Sequence, residues 1–197
     1  AAEADVALVM MDTPKSYRMG YDPADVAKGG NGYIPITLQY RPYTAEHARA
    51  HSLMADASEG VPDRSYRGKT AVAQNECDLD LLEATHRAMK GKPVVVLMTV
   101  ANPCVLSEVE PLADAIMLGF SVQTQAFLDL LFGREKPSGL LPFEMPASMQ
   151  AIEEHCEDLP HDIVPYTDAD GNTYGFAFGL DFNGPISDSR TERYKIR

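Results

Sequence analysis

Two nearly unbroken apolar stretches stand out from an otherwise mixed chain, Val94 to Val100, with Thr99 its one polar residue, and Ala115 to Phe120. A third, Asp5 to Met11, reads Asp-Val-Ala-Leu-Val-Met-Met and is stopped by Asp12-Thr13-Pro14. None alternates apolar with polar positions. That is the pattern of a strand covered on both faces, not of a strand with one wet side. Between the runs the periodicity becomes helical. Leu79, Leu82, Ala84 and Met89 form one apolar face on a helix that starts at Asn75 or Asp78, runs to about Met89 and stops at Gly91. Ser107 opens a short helical segment with acidic residues in its first turn, and Gln123 to Phe132 forms a helix ended by Gly133. Strand and helix alternate three times, as in a doubly wound α/β unit whose crossovers place helices on both sides of a parallel sheet. The expected fold is a three-layer α/β sandwich with a largely parallel sheet, flavodoxin-like in outline.

Residues 15–70 lack this regularity and are rich in Tyr, Gly, Pro and Arg. Gly29-Gly30-Asn31-Gly32 reads as a flexible turn. Ile34 to Tyr40 reads as a short edge strand, because Pro35 is unable to donate within a sheet. Thr44 reads as the N-cap of a short helix. A connection this long inside a compact domain tends to carry function. After Pro146 an acidic surface helix is expected over Met149 to Glu157. Ile163 to Phe178 reads as a β-hairpin turned by Asp170-Gly171. The expected division is one domain over 1–186 and a polar, poorly ordered tail over 187–197.

The chain has 197 residues and a formal net charge of -12, with a sequence pI near 4.7. That balance argues against a nucleic-acid partner, which needs a basic face. Cys77, Cys104 and Cys156 are odd in number and far apart, so reduced thiols are expected rather than a disulfide framework. No apolar run approaches the roughly 20 residues of a membrane span. The opening Ala1-Ala2-Glu3-Ala4-Asp5 has no basic n-region, which favours a cytoplasmic location. It also has no initiator Met, and the chain reads as a fragment of something longer.

Several chemistries fail on spacing. His155, Cys156 and His161 do not form a zinc pattern. Asp168-Ala169-Asp170-Gly171-Asn172 starts like a calcium loop, but Thr173 stands at the sixth position and Gly179 at the twelfth. No G-x-S-x-G elbow surrounds Ser121 or Ser138, and no G-x-G-x-x-G follows a strand. No cofactor or metal is therefore expected.

Four segments carry a resemblance to a known family. Ala4-Asp5-Val6-Ala7-Leu8-Val9, Glu59-Gly60-Val61-Pro62-Asp63-Arg64, and Gly91-Lys92-Pro93-Val94-Val95-Val96 continuing to Asn102-Pro103 are three of them. The fourth is Leu131-Phe132-Gly133 with Pro137-Ser138-Gly139-Leu140-Leu141-Pro142. Together they resemble the α/β sandwich domain that follows the catalytic barrel in glycoside hydrolase family 3, which includes β-glucosidases and β-xylosidases. Phe176-Ala177-Phe178-Gly179-Leu180 matches the family's closing motif more loosely. Gly119 to Gln125 departs from the usual "W-PGQ-G". The resemblance implies that the barrel holding the family's aspartate nucleophile lies outside this chain, and the first strands of the sandwich are expected to lie outside it as well.

The resemblance implies a retaining exo-glycosidase acting on β-linked saccharides, with this domain lending an acid/base carboxyl to the barrel. Glu59 occupies the "EG" position for that role. Gly60 lets the backbone turn beside it, and Asp63 with Arg64 is expected to brace the loop as an ion pair. Glu76 is a second carboxyl candidate that fits the first turn of the following helix better. Tyr40, Arg41, Tyr43, Arg64, Tyr66 and Arg67 suit sugar recognition by stacking and hydrogen bonding. The same residues equally suit packing of the loop onto the sheet edge or onto the barrel. Arg64, Tyr66 and Arg67 are the expected substrate-binding residues. Expected partners are a carbohydrate substrate and the N-terminal barrel. An apolar face left bare by missing parts would promote homo-oligomers. The alternative function is a non-catalytic α/β module for substrate binding or subunit contact.

Overall fold

The structure is a computed structural model that describes residues 3–52, 63–156 and 158–194. In chain order its elements are β1 (Ala7–Asp12), α1 (Pro23–Ala27), β2 (Tyr43–Thr44), β3 (Thr70–Ala71), α2 (Glu76–Met89), β4 (Val94–Thr99) and β5 (Ala115–Gly119). There follow α3 (Thr124–Leu131), α4 (Met149–Glu154), β6 (Leu180–Asp181), β7 (Gly184–Pro185) and α5 (Ser189–Arg193). Tyr17–Met19, Leu106–Glu108 and Glu110–Leu112 form 3₁₀ turns.

β4 lies at the centre of a parallel sheet of order β1-β4-β5, with Val9 opposite Val96 and Val96 opposite Ile116. Successive side chains of a strand point to opposite faces. Val94, Val96 and Met98 therefore enter one core with Leu79, Leu82 and Met89 of α2. Val95 and Leu97 enter a second, smaller core with Phe127 of α3. The near-continuous apolar pattern of β4 follows from these two cores, and each side chain fully buried contributes roughly 1.5–3 kcal/mol. Gly119 at the end of β5 allows this closeness, since a Cβ there would stand 2.3 Å from the Phe127 ring.

β1 departs from the expectation of cover on both faces. Val9 and Met11 are buried under α2, but Val6, Leu8 and Met10 are 43%, 41% and 58% exposed. α3 reaches across β4 and stops short of the edge strand. An apolar groove of about 430 Å³ runs between β1 and α2, with Ala4, Val6, Leu8, Ala84 and Ala88 in its walls.

The C-terminal third packs against the larger core through Leu141, Phe143, Met145, Tyr166, Tyr174 and Phe178. The expected hairpin is present: Thr167 and Thr173 bridge antiparallel, and Gly171 takes φ +84° in the turn. The Asp168 carboxylate accepts from the Asp170 and Asn172 backbone N–H groups, the Asn172 amide and the Tyr174 hydroxyl. A second hairpin joins β6 and β7.

Three local expectations are corrected. Residues 34–40 form no strand: 34–37 are irregular and 38–40 are bends, and their attachments are single ones, such as Val105 N–H to the Leu38 carbonyl at 2.8 Å. Thr44 caps no helix, because it sits in β2, paired with Thr70 of β3. The polar C-terminal segment folds into α5. There Asp188 accepts from the Arg190 and Thr191 N–H groups, and Thr191 Oγ accepts from Asp188 N–H, a reciprocal cap. Arg190 also donates to the Ser138 carbonyl at 2.8 Å.

Candidate functional site

Open parallel sheets place ligands beyond the carboxyl ends of their strands. Here those ends meet the long segment between β1 and α2. The Tyr40 hydroxyl, fully buried, donates to the Asp12 carbonyl at 2.6 Å. Ser16 Oγ donates to the Thr37 carbonyl, and Gln74 N–H to the Lys15 carbonyl. Asn75 donates to the Asp12 and Thr13 carbonyls and accepts from Lys15 N–H, so it ties the exit of β1 to the start of α2.

From this platform residues 45–52 lead away and residues 63–69 lead back. Their stem is the β2–β3 pair, extended by Ala45 N–H to the Lys69 carbonyl and Gly68 N–H to the Ala45 carbonyl. Further out, Asp63 closes the excursion. Its carboxylate accepts from Ser52 N–H at 2.9 Å, from Ser65 N–H at 2.8 Å and from His51 Nδ1 at 2.8 Å. The Ser52 and Ser65 N–H groups, followed by the His51 contact, hold the Asp63 carboxyl below the usual carboxylate range. Ser65 Oγ donates to the Arg49 carbonyl at 2.6 Å. Ser52 and Asp63 thus stand side by side, and the candidate acid/base Glu59, with Gly60, lies outside the described residues between them. The expected brace is corrected in its partner. Asp63 acts through Ser52, Ser65 and His51, while the Arg64 guanidinium lies over the Tyr33 ring at 5.7 Å.

The six Tyr and Arg candidates separate into two sets. Tyr40 is core. Arg41 is a structural hub: its guanidinium reaches Glu83 at 2.7 Å, Asp80 at 2.7 Å and Glu76 at 3.1 Å along α2, and these carboxylates push its pKa further up. Glu108 accepts the backbone N–H groups of Tyr40 and Arg41. Glu76 is therefore spent on Arg41 at the first turn of α2. The Tyr43 hydroxyl donates to Glu153 of α4 at 2.6 Å; burial first, then this carboxylate, raises its pKa. Glu153 also accepts His47 N–H at 3.0 Å. The second set, Arg64, Tyr66 and Arg67, shares the returning limb after Asp63, with Arg64 and Tyr66 half-buried and Arg67 exposed. His51, Glu153 and Glu108 escaped sequence reasoning. Their contacts join positions 12, 110 and 68 residues apart, and no local pattern announces such pairs.

Comparison with known proteins adds the family context. The model of the glycosyl hydrolase family 3 C-terminal domain matches residues 1–182. Beta-glucosidase C of Emericella nidulans is 40% identical over 84 residues, which is 40% of this chain and 14% of that protein. The periplasmic beta-glucosidase of Salmonella typhimurium is 31% identical over 134 residues, 66% of this chain and 17% of that protein. The periplasmic beta-glucosidase/beta-xylosidase of Dickeya chrysanthemi is 29% identical over 99 residues, half of this chain and 15% of that protein. The chain thus spans about a sixth of the length of these curated relatives. No solved structure matches.

Proposed function

Because the chain belongs to glycosyl hydrolase family 3, as its C-terminal domain, we propose that it lends the acid/base carboxyl Glu59 to a catalytic barrel outside this sequence. The whole enzyme is then a retaining, exo-acting β-glycosidase on β-linked saccharides, in keeping with relatives named beta-glucosidases. The observation that carries the reading is the contact between Asp63 and Ser52, which brings together the two described residues that flank Glu59 along the chain. Asp63 ties both limbs together there, and Arg64 and Tyr66 follow directly.

The chemistry needs two carboxyl groups about 5 Å apart. The barrel's carboxylate attacks the anomeric carbon while Glu59, protonated, gives its proton to the leaving oxygen. Glu59, now ionised, then takes a proton from the water that opens the glycosyl-enzyme. Arg64, Tyr66 and Arg67 bind the sugar by hydrogen bonds and ring contact. With one of the two carboxyls, this chain by itself is inactive.

The test is Glu59→Gln in this domain joined to its barrel, assayed on aryl β-glucosides with good and poor leaving groups. Loss of the acid should cost about 10²–10⁴-fold on the poor leaving group and far less on the activated one, with azide restoring turnover. Equal rates on both substrates would favour a non-catalytic module.

A further inference from the structure

The glycine-rich turn before the loop is packed tightly, contrary to its flexible appearance in the sequence. A Cβ on Gly30 would stand 2.2 Å from the Asp25 carboxylate, and one on Gly32, at φ +85°, would stand 2.5 Å from the Tyr21 ring. These two glycines press the turn against α1 and present Asn31 to the returning limb of residues 63–65. The Asn31 amide nitrogen donates to the Asp63 carbonyl at 2.9 Å and to the Ser65 carbonyl at 2.7 Å. Its Oδ1 accepts from Lys69 Nζ at 2.5 Å and from Tyr33 N–H at 3.1 Å. Carbonyls only accept, and an ammonium or backbone N–H only donates, so one orientation of this amide satisfies all four partners. Lys69 is held in turn by Asp25 at 2.7 Å, and Asp25 also accepts Gly32 N–H at 2.7 Å.

The two carbonyls that Asn31 holds flank Arg64. Two residues after Asn31, the Tyr33 ring lies beneath the Arg64 guanidinium and is itself set edge-on against Tyr21 at 5.6 Å. The turn therefore fixes Arg64 at both ends, its backbone through Asn31 and its head group through Tyr33. We propose that Asn31 is a positioning residue that aims Arg64 at the sugar. This rests on the reading that Arg64 binds substrate.

The experiment measures KM and kcat on p-nitrophenyl β-D-glucopyranoside for the domain joined to its barrel. Asn31→Asp keeps the size of the side chain but turns two donors into acceptors facing two carbonyls. Arg64→Met is the reference. Arg64→Met should raise KM about tenfold, the size of one charge-assisted hydrogen bond. Asn31→Asp should raise KM about threefold or more with kcat within about twofold, the split expected when binding is lost and chemistry is not. If Arg64→Met leaves KM unchanged, Arg64 does not bind the sugar and the inference falls with that reading. If Arg64→Met raises KM and Asn31→Asp does not, the positioning role alone is wrong. A parallel fall in active enzyme without a KM change would mark Asn31 as merely structural and overturn the proposal. Should Asn31→Asp fail to fold, Lys69→Gln removes the charge that orients the amide. It should raise KM by a smaller factor, and an unchanged KM there also overturns the proposal.

Discussion

β4 and the limbs of the 45–69 excursion are held by different forces. β4 is buried on both faces by side chains with no polar handle, and its neighbours need only the right volume and pattern. The limbs are held by directed polar bonds: Asp63 to two N–H groups and a histidine, Asn31 to two carbonyls, Glu153 to a hydroxyl and an N–H. Apolar burial supplies most of the free energy but little direction, whereas hydrogen bonds add about 1 kcal/mol each and fix an angle. A frame and a clasp therefore tolerate different substitutions, and each can be damaged while the other survives.

The largest effect should come from the frame. Leu82→Ala removes a fully buried side chain beneath β4 and β1 and should cost about 2–5 kcal/mol, read as a lower midpoint in urea for the whole cooperative transition. Next is the joint between the two regions. Arg41→Met leaves the Glu76, Asp80 and Glu83 carboxylates of α2 facing one another. Because the Arg41 side chain is 34% exposed, the loss should be about 1 kcal/mol and should shrink in high salt.

The smallest effect should be confined to the clasp. Asp63 has its carboxyl pKa lowered from 3.8 by the folded contacts, so its contribution is fully present above that value and is lost as pH falls through the lower folded one. The Ser52 and Ser65 amide resonances should titrate together with a midpoint below 3.8. Asp63→Asn should abolish that step while the signals of β4 stay put. Movement of the β4 signals with them would mean that frame and clasp are one unit.

These differences also explain what the chain discloses to inspection. β4 and the inner face of α2 announce themselves because local hydrophobic pattern and tertiary burial agree there. β1 misleads on one face, since Leu8 and Met10 carry the signature of cover that the edge position does not supply. Thr44 has the chemistry of an N-cap, yet the ladder to Thr70 takes it instead. The Asp188–Thr191 cap is a local pattern hidden in a run of charges that reads as a tail. For the candidate site, family resemblance alone proposes Glu59, which lies outside the described residues. Arg64 and Tyr66 are proposed from residue type alone. Asn31, His51 and Glu153 are not legible, because their partners are set by the fold and not by spacing along the chain.

The Asp63 carboxylate, accepting from Ser52 N–H at 2.9 Å, joins two points of the chain eleven residues apart without a covalent bond. Closing a longer loop over the same anchor adds only about 0.6 kcal/mol for each doubling of its length. Added length between these two anchors should therefore cost the fold little, and the packing of β4 should survive it.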